Sequence, residues 1–436
     1  MAYGGGTFLV QNKVLPGAYI NFVSKSYSSD IFGDRGYAAM GLELDWGPEG
    51  EVFTVTNGDF QTDSLKIFGY DYTDAKMQGL RELFLNVKTL YAYRLNGGGA
   101  KAANTYATAK YKGTRGNDIK IAIEANVDDD TKFDVITYLG TQKMDVQTVA
   151  AATGLLSNDW VDFKSDATLA VTAATALTGG TNGTANNAAH QAFLSALESY
   201  TFNALGLVSE TAALKSLYTA YTKRMRDEVG LKFQTVVYNY TTADYEGVIS
   251  VKNACTGTDV NAASLVYWVT GIAAGCEVNK SNMAKIYPGE YTVSADYTQA
   301  QLEAAINAGE FTLHKVNEDL RVLADINTLV TVSDTKGDDF KENQTIRVCD
   351  QIAMDIAKIF NTRYLGVVPN DKAGRASLWN DIVKHHQKLN DIRAIEDFDS
   401  SKLTVEQGDT KNSVVVYDEI TPVNAMAKLY MTVTVA

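Results

Sequence analysis

Apolar and polar residues alternate strictly through the last positions of the chain. Leu429, Met431, Val433 and Val435 fall on one side; Lys428, Tyr430, Thr432 and Thr434 fall on the other. Alternation of period two predicts a strand with one buried face. Ser413–Ile420, rich in valine, predicts a strand before it, and Thr421–Asn424 joins the two. The last strand runs to the final residue, so the expectation is that no later segment covers its far edge. Open edges recruit other chains.

The same pattern reading organises the rest. After Gly4-Gly5-Gly6, Thr7–Val10 is a short apolar extended run, and Ala18–Val23 alternates again. Gly36–Trp46, Glu51–Val55 and Thr89–Leu95 predict strands. Met77, Leu80, Phe84 and Val87 form one helical stripe that Asp74 can cap. Tyr106–Tyr111, Asp118–Ala125 and Phe133–Leu139 predict short strands of an all-β insert, closed by a low-complexity Ala/Thr stretch, Ala167–Ala176. Helix and strand then alternate: Ala188–Ser199, Ala204–Val208, Ala212–Val229, Phe233–Tyr238, Val248–Lys252 and Ala262–Ala274. That order predicts an α/β layered region with a largely parallel sheet. Phe311–Val316 and Val322–Ala324 are expected at its edge. Ile346, Cys349, Ala353, Ile356 and Phe360 mark one further helix, and Leu378, Ile382, Leu389 and Ile392 mark another over Asp371–Arg393.

The predicted fold class is therefore α+β and α/β, multidomain. A discontinuous α/β core is drawn from both chain ends, with an inserted small all-β domain, an inserted α/β layered domain and extended terminal strand arms. The expected boundaries are 1–17 for an N-terminal arm, 18–96 and 341–422 for the two parts of the core, 97–186 for the β-rich insert, 187–340 for the α/β insert and 423–436 for the C-terminal arm.

Composition narrows the function. A formal net charge of −13 excludes a basic nucleic-acid-wrapping face. Three cysteines, Cys255, Cys276 and Cys349, form no C-x-x-C pair, so neither a zinc site nor a disulfide framework is expected. The opening residues have no basic-then-apolar signal pattern, and no apolar run is long enough to span a bilayer. The chain contains no nucleophile elbow, P-loop, H-E-x-x-H or dinucleotide fingerprint. The expectation is no enzyme activity, no catalytic residues, no cofactor and no metal. The glycine clusters at 4–6, 97–99 and 179–183 read as hinges and turns. Asp128-Asp129-Asp130 reads as a solvated turn, and His385 as packing on the apolar stripe of its helix. Lys384 and Lys388 lie four apart on the outer face of that helix, beside Asp381 and Asp391. They read as a solvated face or as a docking surface for an acidic partner.

Three stretches in sequence carry a family resemblance. The first is Met1–Thr7 with Asn12–Phe22; the second is Tyr111-Lys112-Gly113-Thr114-Arg115-Gly116-Asn117-Asp118; the third is Asp418–Tyr430. The chain resembles contractile tail sheath proteins, nearest those of R-type bacteriocins and defective prophages of Gram-positive bacteria. The resemblance implies a subunit of stacked hexameric rings that form a helical homopolymer around an inner tail tube, with baseplate and terminator proteins at the ends. Such a subunit assembles in the bacterial cytoplasm and becomes part of a released particle. The arms implied for strand exchange are Thr7, Phe8, Leu9 and Val10, and Lys428, Leu429, Tyr430, Met431, Thr432, Val433, Thr434 and Val435. Gly4, Gly5, Gly6 and Pro422 are the implied joints, and Lys384 and Lys388 the implied tube contact. An α/β enzyme and a static surface-layer subunit are the alternative readings.

Overall fold

The computed structural model describes residues 35–435. Thr7, Phe8, Leu9, Val10, Gly4, Gly5 and Gly6 lie outside the described residues. Two compact units are present among those described.

The first unit comprises Ala39–Arg81 and Thr89–Tyr200. It receives most of β1 (Tyr37–Leu42), which lies beside β3 (Thr89–Arg94); β3 pairs antiparallel with β2 (Val52–Thr56). Directly after β2 comes α1, Asn57–Phe68. Pattern reading missed this helix, although its start is written in the sequence. Thr56 Oγ1 accepts from Asp59 N at 3.1 Å, and Thr56 N–H donates to Asp59 Oδ2 at 3.0 Å, a reciprocal cap. Asp74 caps a short turn that leads into α2 (Gln78–Phe84), as the stripe predicts.

The all-β part contains β4 (Ala107–Ala109), β5 (Ile119–Ala125), β6 (Phe133–Leu139), β7 (Gln142–Val149), β8 (Val161–Phe163) and β9 (Thr172–Ala176). β7-β6-β5-β9 is a four-stranded antiparallel sheet, and β4 pairs with β8. β9 lies in the stretch set aside as low complexity: small residues suffice on an edge strand that pairs through its backbone. Ile119, Ile121, Ile123, Val135 and Leu139 bury one face with Trp160 and Leu177. Trp46 enters the same core, stacked on Trp160 at 5.7 Å.

The chain enters and leaves this β part through the two glycine clusters, which meet. Gly183 N–H donates to Asn96 O at 2.9 Å, and Ala100 and Thr181 form an antiparallel bridge. A Cβ on Gly99 would lie 1.8 Å from Thr181 O, and one on Gly183 1.7 Å from Gly97 O. Only glycine permits this approach. The Tyr111–Asp118 motif completes the joint. Arg115 Nε donates to Gly69 O at 2.7 Å, and its guanidinium stacks over Tyr70. Asn117 and Gly180 exchange two hydrogen bonds, of 2.9 and 2.8 Å. Buried Arg94 donates to Lys112 O at 2.7 Å, to Gly47 O at 3.2 Å and to Asn182 Oδ1 at 3.3 Å. α3 (Asn187–Leu197) closes the unit, with Asn186 as its cap.

The second unit holds residues 35–38, 82–88 and 201–435. Its sheet has the order β15-β12-β11-β10, all parallel, from β10 (Ala204–Leu207), β11 (Gln234–Tyr238), β12 (Val248–Val251) and β15 (Glu310–Phe311). α4 (Ala212–Arg224) and α5 (Val266–Gly275) pack on it, and its strands are buried along almost their whole length, including the polar Gln234, Thr235, Ser250 and Glu310. The pair β13 (Cys255–Thr256) and β14 (Thr292–Val293) precedes α6 (Gln299–Asn307), a second helix that pattern reading missed. Thr298 and Gln301 form its reciprocal cap. The single strand expected over Phe311–Val316 is divided at Thr312. Its second half is β16 (Leu313–Val316), in a hairpin with β17 (Asp319–Val322).

α7 (Asn343–Ile359) and α8 (Lys372–Asp391) follow, close to the predicted stripes. Four short strands come next: β18 (Ile395–Glu396), β19 (Thr404–Gln407), β20 (Val414–Tyr417) and β21 (Thr421–Pro422). α7 is tied into the unit through buried ion pairs. Arg347 Nη2 meets Asp325 Oδ2 at 2.6 Å, and Arg226 meets both oxygens of Asp350 at 2.7 and 2.8 Å. Asn343 donates to Asp325 at 3.0 Å and accepts from Gln234 at 2.8 Å. Severing one partner of such a buried pair costs about 3–5 kcal/mol, because it strands a charge.

Candidate assembly site

The alternation at the chain end does not produce a strand here. Residues 423–435 belong to no helix or strand. Leu429 is 86% exposed, Met431 75%, Val433 69% and Val435 91%. The expected half-buried strand over Lys428, Leu429, Tyr430, Met431, Thr432, Val433, Thr434 and Val435 is thus corrected for the isolated chain. No strand among the described residues pairs with it, and none of them covers its apolar side.

The root of this segment is fixed. β21 pairs antiparallel with β18, with Pro422 opposite Ile395 and Thr421 opposite Glu396. Val423 N–H donates to Ala394 O at 3.0 Å. Asn424 bonds the Thr345 hydroxyl at 3.0 Å, and Ala425 N–H donates to Gln344 Oε1 at 3.0 Å. Pro422 is therefore a clamped position rather than a free joint. Proline fits an edge pair because it needs no ladder N–H. The unattached chain begins at Met426, three residues beyond the expected start of the arm at 423, and Met426 is fully exposed.

β19 and β20 form an antiparallel hairpin in register Thr404–Tyr417 to Gln407–Val414, with no third strand among the described residues. It is anchored from beneath. Trp379 Nε1 donates to Leu403 O at 2.8 Å, and Asn370 Nδ2 to Ser413 O at 2.7 Å. Leu403, Val405 and Val414 join a core with Leu378, Ile382 and Val383 of α8. The outer residues Val415, Val416 and Tyr417 are exposed. The result is an anchored two-stranded platform whose outer edges pair with no other described strand.

α8 begins at Asp371, whose Oδ1 accepts from Gly374 N–H at 2.7 Å. His385 and His386 are both buried, as the stripe predicts for His385. Lys384 is exposed and Lys388 half-buried. Asp381, expected beside them, is engaged elsewhere: it accepts from Arg363 at 3.0 Å and from the Tyr364 hydroxyl at 2.9 Å. Leu365 and Val367, in the turn between α7 and α8, are exposed apolar residues that the pattern did not single out.

The electrostatics concern integrity rather than chemistry. Burial pushes the Asp325 carboxyl up, but the Arg347 guanidinium outweighs it and holds the group low. Burial raises Glu82, against hydrogen bonds from the Tyr287 hydroxyl and the Tyr291 and Glu290 amides. Burial also raises Glu342, with Asp325 and Asp339 adding to the effect and Lys428 opposing it. In the first unit, burial works to raise Asp45. Hydrogen bonds from Lys76, Tyr70 and Asn182 prevail and hold it far below the usual carboxylate range. Asp129, in the acidic turn, is satisfied locally by Thr131 and Lys132.

Sequence models of tail-sheath domains match nearly all of the described chain. The phage tail sheath C-terminal domain matches residues 335–436, the central domain 183–328 and the β-sandwich domain 96–182. The N-terminal region of domain III of the tail sheath protein Gp18 matches 35–95. The sheath tail protein of Desulfitobacterium hafniense is 39% identical, with a TM-score of 0.84 over 95% of this chain and 99% of that chain. This chain belongs to the phage tail sheath family. The phage-like element PBSX protein XkdK of Bacillus subtilis is 31% identical over 99% of each chain. The helical sheath of the anti-feeding prophage in its contracted state shares the fold, at 12% identity and a TM-score of 0.56, over 97% of this chain and 99% of that chain. The sheath protein is thus a structural component of a phage tail or tail-like particle, with a mixed α/β multidomain fold. Among the described residues no helix is long and apolar enough to cross a membrane.

Proposed function

We propose that this sheath protein polymerises by donating residues 426–435 as a strand to the sheet of a neighbouring subunit. One observation carries the reading: an alternating apolar segment stands exposed and unpaired beyond a root that is clamped through Ala425. Each ladder hydrogen bond it gains contributes about 0.5–1.5 kcal/mol net, and each buried apolar side chain about 1.5–3 kcal/mol. A hairpin with open edges, β19–β20, is the receiving element. Thr7–Val10 is proposed as the corresponding arm at the other end, with Gly4–Gly6 as its joint.

The assembly is read as stacked hexameric rings around an inner tube, capped by baseplate and terminator proteins and put together in the bacterial cytoplasm. Its contraction would drive the tube through a target envelope while the donated strands keep the subunits linked. The fold shared with a sheath seen in the contracted state supports this reading. Lys384 and Lys388 are proposed to face the tube, without carboxylate neutralisation from Asp381. The domain plan is proposed as before: arms at 1–17 and 423–436, core parts at 18–96 and 341–422, inserts at 97–186 and 187–340. The role is taken to be mechanical, with no catalytic step.

The test is deletion of residues 426–436 followed by negative-stain electron microscopy. The expected product is a folded, soluble subunit that forms no tubes under conditions where the full chain does. Tubes of normal appearance from the truncated chain would remove the donated strand from the mechanism.

A further inference from the structure

The turn that follows α5 gathers three cations, all within the second unit. Arg35 Nε donates to Cys276 O at 2.7 Å and Arg35 Nη2 to Ala273 O at 3.0 Å, which closes the carboxyl end of the helix. Arg347 Nη2 donates to Lys280 O at 2.8 Å, and the Cys276 thiol lies 3.4 Å from that same carbonyl. Lys285, further along the turn, donates from Nζ to Asn86 Oδ1 at 2.8 Å.

Charge does not balance in this cluster. Among the described residues, Asp325 is the one carboxylate bonded into it, 2.6 Å from Arg347 Nη2. Asp325 also accepts from Asn282 N–H at 2.8 Å and from Asn343 at 3.0 Å. Asp350 acts on Arg35 through its charge, but both of its oxygens are taken by Arg226. Glu277, next to Cys276, is exposed. Cys276 does not supply a negative charge: burial pushes its thiol up, against the pull of Arg347, Arg35 and Lys285. The cations press on one another. Burial, and after it the Arg347 charge, bring Arg35 down to about 10. Burial lowers Lys285 too, and Arg347 adds to the effect.

Hydrogen bonding falls short at the same place. The Arg347 side chain is 2% exposed, and its Nε and Nη1 have no acceptor among the described residues. Native structures leave few buried donors unpaired, and those of a charged group cost the most. An uncompensated positive charge and two unpaired N–H groups thus coincide on one guanidinium.

We propose that a monovalent anion of halide size binds at Arg347 Nε and Nη1, with Arg35 and Lys285 completing its positive surroundings. Buried charges call for a counter-charge. A water molecule would accept from the two N–H groups and leave the charge unbalanced. A larger oxyanion asks for more donors than these two groups supply. The bound anion would tie the turn after α5 to α7 within one chain, and it does not depend on strand donation.

Crystals of the full-length unassembled chain grown in sodium bromide, with data collected at the bromine absorption edge, test the proposal. An anomalous peak is expected within about 3.5 Å of Arg347 Nε and Nη1. A water in that position, or no peak there, overturns the proposal. Thermal unfolding gives a second reading. Replacing sodium gluconate by sodium chloride at equal ionic strength should raise the melting temperature by roughly 2 °C, with saturation. Lys285→Met should fold, because Lys285 is bonded to no carboxylate, and should lose most of that rise. Arg347→Met is the poorer variant, since it strands Asp325. A rise that never saturates, or one that is undiminished in Lys285→Met, marks a general salt effect and overturns the proposal equally.

Discussion

β5 and residues 428–435 carry the same alternation and arrive at opposite ends. In β5, Ile119, Ile121 and Ile123 are fully buried, and the strand is paired on both sides, with β6 and β9. In the C-terminal segment, Leu429, Met431, Val433 and Val435 are exposed and no described strand pairs with the backbone. A period of two specifies which side chains share a face. It does not specify whose surface covers that face. For β5 the covering residues lie within the same unit; for the C-terminal segment no described residue supplies them.

The largest effect expected is at the joint that holds β5 in place. Gly183→Ala puts a methyl group 1.7 Å from a backbone carbonyl. It should cost about 3 kcal/mol or more and lower the melting temperature by roughly 10 °C in a calorimetric scan. An unchanged melting temperature would mean that the two glycine clusters are not the joint. Next is Ile121→Ala, which empties a fully buried site and should cost about 2–5 kcal/mol, read from denaturant midpoints. Asp45→Asn tests the joint by pH. Asp45 is held low in the folded chain, so its contribution is present above its unfolded pKa of about 4 and is lost as pH falls. The variant should be less stable at neutral pH and lose less on acidification than the natural chain. Equal acid sensitivity in both would place that dependence elsewhere. The smallest effect on the isolated chain belongs to Val433→Asp, within about 0.5 kcal/mol because the residue is exposed. The same change should abolish tube formation in the microscope. A destabilised monomer would show that Val433 packs within its own subunit, contrary to the comparison.

What was readable in the sequence follows the same division. Long, periodic elements such as α4, α7 and α8 announced themselves, because one face of each packs on its own unit. α1 and α6 escaped a search for stripes. Each keeps few buried apolar residues, and its signal lies in the caps Thr56–Asp59 and Thr298–Gln301. β9 escaped because an edge strand of alanine and threonine has no apolar alternation to detect. The clamp on Pro422 depends on Gln344, Thr345 and Ala394, residues far away in sequence, and no local pattern encodes it. The Asp418–Tyr430 stretch was recognisable as a family pattern. Its division into a fixed root and an exposed end required coordinates.

The clamp also defines a load path. Any pull on residues 426–435 enters the subunit at Ala425 and is handed to Gln344 and Thr345, in the first turn of α7. From there Asn343 and Arg347 pass it to Asp325, and Asn343 passes it to Gln234 in the central parallel sheet. Tension is thus shared among buried, charge-assisted bonds, and the hairpin and α8 are bypassed. Under traction the subunit would behave as a link in a chain whose first loaded contacts are Ala425 to Gln344 and Asn424 to Thr345, so overload should peel the tail root before it deforms the body.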